Sequence, residues 1–199
     1  MAAPGSYTKA QALLEKGVSR PTLYTVRLPQ QWASTRVNDY IEFYCKATSI
    51  PSMNFGTATV LGQEHMGIVR DQPISVVYSK PFTMTILEST EFEVYKSLRE
   101  WMEAIGTNVN SPTASSTSGR SQKMNYYSTY VADLELIKLE QPDQQGETQY
   151  KQPLKVTFIN AYPVNIGEVI LASDQYDAQT EFQIQFNYES YNIEDDVNE

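Results

Sequence analysis

The stretch Thr180-Glu181-Phe182-Gln183-Ile184-Gln185-Phe186-Asn187-Tyr188 alternates without a break between large apolar and polar side chains. Successive side chains of an extended strand point to opposite faces, so a period of two puts Phe182, Ile184, Phe186 and Tyr188 together on one inward face. A helix would scatter these four residues around its axis. A face this apolar must be covered, and that requirement points to a packed β architecture.

The same pattern recurs upstream. After Pro21, Tyr24, Val26 and Leu28 share one face and Thr25 and Arg27 the other, and Phe82, Met84 and Ile86 alternate with Thr83, Thr85 and Leu87. Residues 130–140 and 153–162 read as paired strands joined by the polar stretch QPDQQGETQYKQ around Gly146. Residues 40–47 also alternate, with Ile41, Phe43 and Cys45 on one face, until Pro51 breaks the run. Between 52 and 80, Gly56, Gly62, Gly67 and Pro73 punctuate short β-prone runs, the pattern of a protruding hairpin or extended loop.

One helix stands out at about 91–105. Val94, Leu98, Trp101 and Ile105 recur at spacings of four, three and four, and Phe92, Tyr95 and Met102 widen the stripe. Thr90 and Glu93 match a capping box, Glu91 favours the positive end of the helix, and Gly106 supplies the stop. Residues 6–17 suit a short N-terminal helix or a folding arm, with Ser6 as cap and Gly17 as stop. Residues 107–123 hold almost no apolar anchor and are expected to form a flexible loop. The acidic tail, 192–199, is expected to fray. No internal repeat is present. The expected fold is mainly β: one domain over 1–199, a two-sheet β-sandwich or barrel with one flanking helix.

Composition narrows the function. Fifteen basic against 24 acidic residues give a formal charge of −9, which disfavours binding to phosphate backbones or anionic lipid. The N-terminus lacks a basic and then apolar leader, and no apolar run approaches the roughly 20 residues that cross a bilayer. A soluble chain without a membrane partner is expected. Cys45 is the only cysteine, so no internal disulfide can form, and it is expected to be a buried structural thiol. His65 is the only histidine and leaves a catalytic triad or zinc site short of partners. No GxGxxG, GxxxxGK[ST] or GxSxG occurs, which removes the local signatures of nucleotide and esterase-type sites. No catalysis, cofactor or metal is expected. A paired-carboxylate glycosidase assembled from distant strands stays open, as does a sugar-binding sandwich using Tyr126, Tyr127 and Tyr130.

Residues 158–172, FINAYPVNIGEVILA, read as two apolar strands joined by a turn at Tyr162-Pro163-Val164-Asn165-Ile166-Gly167. Pro163 fixes φ and Gly167 permits a tight or left-handed turn. Tyr162, Val164 and Ile166 then pack either under a neighbouring element or subunit, or in a β-arch folded onto the chain's own core.

Taken in order, RPTLYTVRLP (20–29), FYCKATSIP (43–51), FEVYKSLREWMEAI (92–105), FINAYPVNIGEVILASD (158–174) and TEFQIQFNYESY (180–191) resemble the tail tube proteins of contractile-tailed bacteriophages. The resemblance implies a two-sheet β fold with a flanking helix, similar to the type VI secretion ring protein. It implies homohexameric rings stacked into a virion tail tube inside a contractile sheath, begun on a baseplate initiator, closed by a tail terminator and assembled in the host cytoplasm. DNA would pass through without specific binding. The 52–80 excursion maps to contacts between rings, so Phe55, Val60 and Leu61 within it, together with Tyr162, Val164 and Ile166 of the 162–167 turn, are the candidate subunit or ring-stacking contacts. Six copies at −9 each give −54 per ring, a charge that would repel passing DNA. Glu42, Asp133, Glu135 and Glu181, on outward strand positions, are the candidate lumen acids, with a solvated outer surface as the equal alternative. The tube of a phage-derived contractile injection or secretion particle is the alternative within the same fold.

Overall fold

The computed structural model describes residues 19–61, 69–107, 123–140, 150–171 and 179–195. The expected helix at 6–17, His65, most of the 107–123 loop and the link 141–149 lie outside the described residues. Along the chain run β1 (Tyr24–Arg27), α1 (Thr35–Tyr44), β2 (Cys45–Thr48), β3 (Met53–Leu61), β4 (Val69–Tyr78), β5 (Phe82–Leu87), α2 (Glu93–Ile105), β6 (Gly106–Thr107), β7 (Lys123–Met124), α3 (Tyr127–Tyr130), β8 (Ala132–Glu140), β9 (Lys151–Ile166), β10 (Glu181–Asn187) and β11 (Ser190–Asp195).

Seven strands form one antiparallel sheet, ordered β1-β8-β9-β10-β5-β2, with β11 also paired to β9. Its centre is β9, whose first half pairs with β8 and β11 and whose second half pairs with β10. Between the halves, Asn160 takes a φ of 53°, the left-handed region that few side chains tolerate. There β9 bends, and one strand serves two layers. The opposing chain keeps step: Asn187 faces Tyr162 and Ser190 faces Ile159, with only Tyr188 and Glu189 interrupting β10 and β11.

The core lies between the two halves. Phe158 on the first half meets Phe82 of β5 at 4.4 Å between ring centres and Tyr188 at 5.0 Å. Phe182, Ile184, Phe186 and Tyr188 are all buried, as their alternation predicts. Helix α2 closes one side through Val94, Leu98 and Trp101. Trp101 packs on Phe186 at 5.6 Å and stacks on Trp32 at 5.8 Å, and its indole N–H donates to the Tyr130 carbonyl at 2.6 Å. The Tyr24 hydroxyl of β1 donates to the Cys45 carbonyl of β2 at 2.8 Å, so the two ends of the sheet curl toward each other. The expected mainly β, two-layer architecture with a flanking helix is what the chain adopts.

Several local expectations need correction. Residues 35–44 are helical, not a strand: Ser34 caps the helix by accepting from the Val37 N–H, and Val37 and Ile41, four apart, form its buried stripe. Phe43, expected inward, is 81% exposed. Helix α2 does not use the Thr90–Glu93 box. Its N-cap is Phe92, at a φ of 54°, and the Glu88 carboxylate accepts from the Tyr95 N–H instead. The supposed turn at 162–167 is the continuous second half of β9, and Val169 to Leu171 form no strand, leaving Ile170 and Leu171 70% and 79% exposed. Residues 192–195 are not a frayed tail but part of β11, held on β9. The ends of the 107–123 loop are paired, Gly106 with Met124 and Thr107 with Lys123.

Gly167 also serves a different purpose from a turn. Its N–H donates to the Gln183 carbonyl at 2.6 Å, and a Cβ there would lie 2.9 Å from that same oxygen. Cys45 is half-buried, and burial pushes its thiol from near 9 up to about 11, partly opposed by its contacts with Tyr24 and Ala47.

Gly167→Ala should push β9 away from β10 and cost about 1–3 kcal/mol, read as a lower urea midpoint. An unchanged midpoint would show that the backbone gives way freely. A thiol pKa raised by two units leaves about one hundredth of the thiolate at pH 8, so iodoacetamide should label native Cys45 roughly 100-fold more slowly than the urea-unfolded chain. Equal rates would contradict this burial.

Candidate assembly surfaces

The β3–β4 hairpin occupies the excursion expected at 52–80. Its strands pair only with each other among the described residues. The register runs from Met53–Tyr78 to Leu61–Val69 and shifts between Gly56 and Thr57, beside Pro73. A proline lacks a ladder donor, so it is tolerated at such a shift. A Cβ at Gly56 would meet the Ser75 hydroxyl at 2.5 Å, a contact that rotation of the serine side chain relieves.

Apolar side chains appear on both faces of this ribbon. Phe55 and Val76 form one directly opposed pair, Val77 lies on the other face, and all three are about half exposed or more. Met53 is also exposed, and Ile74 is 69% exposed. A two-stranded ribbon is marginally stable alone in water, and clustered exposed apolar groups mark contact surfaces. Val60 and Leu61 lie at the outer end of β3, opposite Arg70 and Val69, and their side chains are outside the described residues.

The three candidates on β9 separate. Tyr162 packs edge-on against Tyr130 and Tyr127 of α3, at 5.5 and 6.0 Å, and so lies within its own subunit. Ile166 is partly buried against the core. Val164 alone is exposed. Tyr127 and Tyr130 meet edge to face at 79°, so these two rings do not share one plane.

The candidate acids also take different places. Glu42 is exposed on α1, so its supposed strand position is wrong. Asp133 is exposed but accepts from the Asn160 N–H at 3.0 Å. Glu135 pairs with Lys155 at 2.8 Å, and Glu181 with Lys46 at 2.5 Å. Only Glu42 has no such attachment to a neighbouring strand in this set. Among the described residues no group of three or more His, Cys, Asp or Glu could hold a metal, and no helix is long and apolar enough to cross a membrane.

Sequence reasoning missed two exposed surfaces. Phe43 was hidden by a misread period, and Ile170–Leu171 by an apolar run that forms no strand. Tyr126, named from the sequence as an exposed aromatic, is 87% exposed just before α3.

Val164→Asp should leave stability within about 0.5 kcal/mol, whereas Ile166→Asp should lose more than about 2 kcal/mol because it puts a charge against the core. Thermal melts of the two variants compare them directly. Equal losses would mean that Val164 is also a packing residue.

Known proteins place this geometry. No curated protein matches the sequence. Among solved structures, a chain of the sheath–tube complex of an extracellular contractile injection system, PVC, in the extended state is 8% identical, with a TM-score of 0.57 over 92% of this chain and 97% of that one. A chain of the tube-terminating cap of the anti-feeding prophage is 13% identical, with a TM-score of 0.56 over 89% and 91%. A chain of the anti-feeding prophage baseplate is 9% identical, with a TM-score of 0.50 over 76% and 80%. At such identities these are likenesses of fold. The model of the phage tail tube protein family matches residues 18–194, and the chain belongs to that family.

Proposed function

We propose that this tail tube protein forms the inner tube of a contractile particle, as homohexameric rings stacked on a common axis. The sheath surrounds the tube, the baseplate starts it and a terminator ends it. DNA passes through the lumen without specific binding, and the chain carries out no catalysis. Assembly takes place in the host cytoplasm and ends in the virion.

The observation that carries this reading is the β3–β4 ribbon, apolar on both faces and paired with no other strand among the described residues. Its free apolar faces suit another copy in a stacked ring, which would bury them and satisfy the ribbon's open edges. The likeness to chains of a sheath–tube complex, a tube cap and a baseplate supports the contractile setting. The charge of −9 per chain supports passage of DNA over its retention. The same likenesses favour an injection particle as the second reading. Nucleic acid inside purified particles separates the two.

Negative-stain microscopy of the purified chain, with and without a baseplate initiator, should show annuli and hollow tubes of uniform width. Ile74→Asp with Val76→Asp should abolish long tubes at least tenfold in number while leaving the melting temperature within a few degrees. Small globular particles under every condition would sink the tube reading.

A further inference from the structure

The hairpin stands on two feet, and each foot is held by a tyrosine. At the β3 end, Pro51 offers its carbonyl to the Tyr191 hydroxyl at 3.2 Å. At the β4 end, Ser79 offers its carbonyl to the Tyr188 hydroxyl. Between the feet, the Ser79 N–H donates to the Ser52 carbonyl at 2.9 Å and closes the base of the ribbon. Tyr78, the last residue of β4, meets Tyr191 edge to face at 5.1 Å.

Both tyrosines come from one place in the body. They flank Glu189, at the break between β10 and β11, where the Glu189 N–H donates to the Ile159 carbonyl at 2.9 Å. The Glu189 carboxylate accepts from the Asn160 side chain at 2.6 Å, so the break is tied to the bend in β9. Behind the hydroxyls the rings are anchored: Phe158 packs on Tyr188 at 5.0 Å and on Tyr191 at 6.1 Å. Lys80, next to the second foot, lies over the Tyr188 ring at 5.7 Å. Burial pushes the Tyr188 phenol up to about 12, so it stays a protonated donor across the physiological range.

We propose that Tyr188 and Tyr191 are positioning residues that set the angle at which the hairpin leaves the body, and through it the register between stacked rings. The proposal rests on the reading that the hairpin contacts the next ring. Two hydroxyls on two separate feet resist tilting in a way that a single contact cannot. Tyr188 belongs to the core and Tyr191 packs against it, so the angle is referred to the bend at Asn160 and not to the surface.

The test uses the full chain carrying Tyr188→Phe and Tyr191→Phe, which keeps both rings and removes both donors. Amide exchange across residues 53–61 and 69–78 should rise roughly tenfold or more, the size expected for two lost hydrogen bonds, while β8 and β9 amides stay protected. Tubes should become short, or lose the single rise and twist of the wild type. Wild-type exchange, or faster exchange with wild-type tube parameters, would overturn the proposal. If the double variant does not fold, Tyr191→Phe alone is read in the same assays against the same outcomes. If the unmodified chain forms no tubes, the tube reading fails, and the exchange measurement still decides whether the two hydroxyls hold the hairpin.

Discussion

The bend at Asn160 is the constraint on which the rest of the fold depends. A straight strand of the length of β9 would reach about 50 Å, longer than a compact body of this size can hold. The turn into two layers is made here by one residue in the left-handed region, at a cost of about 1–2 kcal/mol for a residue with a Cβ. Asn160 is a residue type that tolerates this, and its surroundings hold it there. Asp133 accepts from its backbone N–H, Glu189 accepts from its side-chain amide, and Tyr127 donates to its carbonyl at 3.4 Å. With the bend fixed, Phe158 on one side of it faces Phe82 on the other, and the aromatic core follows.

The alternating strands were legible because each has one buried and one wet face, the condition under which a period of two survives in the sequence. β10 and β5 show it most clearly, with Phe182, Ile184 and Phe186 opposing Ile86, Met84 and Phe82. Failures came where two periods fit the same residues. Ile41-Glu42-Phe43-Tyr44-Cys45 alternates as a strand would, but Ile41 is also four residues from Val37, and the Ser34 cap decides for the helix. Pro163 and Gly167 looked like turn punctuation for a related reason. Pro163 sits beside the register shift between Gln185 and Phe186, where a missing donor is tolerated, and Gly167 answers a close approach by a strand sixteen positions away.

The assembly surface was partly legible. The hairpin could be placed from its Gly and Pro punctuation, because a ribbon paired with itself is a local structure. Glu42 was misplaced with the misread helix, and the other three acids could not be placed because their partners are remote in sequence. Lys46 and Glu181 are 135 positions apart, and Asp133 is used at a bend whose φ no pattern announces. An exposed aromatic such as Phe43 carries no mark distinguishing it from a core residue when its period is misread.

Stability and assembly draw on different parts of the chain. The exposed ion pairs, such as Arg36 with Glu91 and Arg99 with Glu103, contribute little individually, so the body rests on its aromatic and aliphatic core. The hairpin contributes little to that core and holds its apolar groups in reserve. An acid surplus of nine per chain works against chance contact between such ribbons, yet salt at physiological strength limits the repulsion to roughly 8 Å. Under the tube reading, charge discourages loose association at a distance, while apolar burial wins only where a neighbour seats the ribbon at the right angle. Selective assembly then depends on how firmly that angle is held, which makes the two tyrosine feet as consequential as the apolar residues they carry.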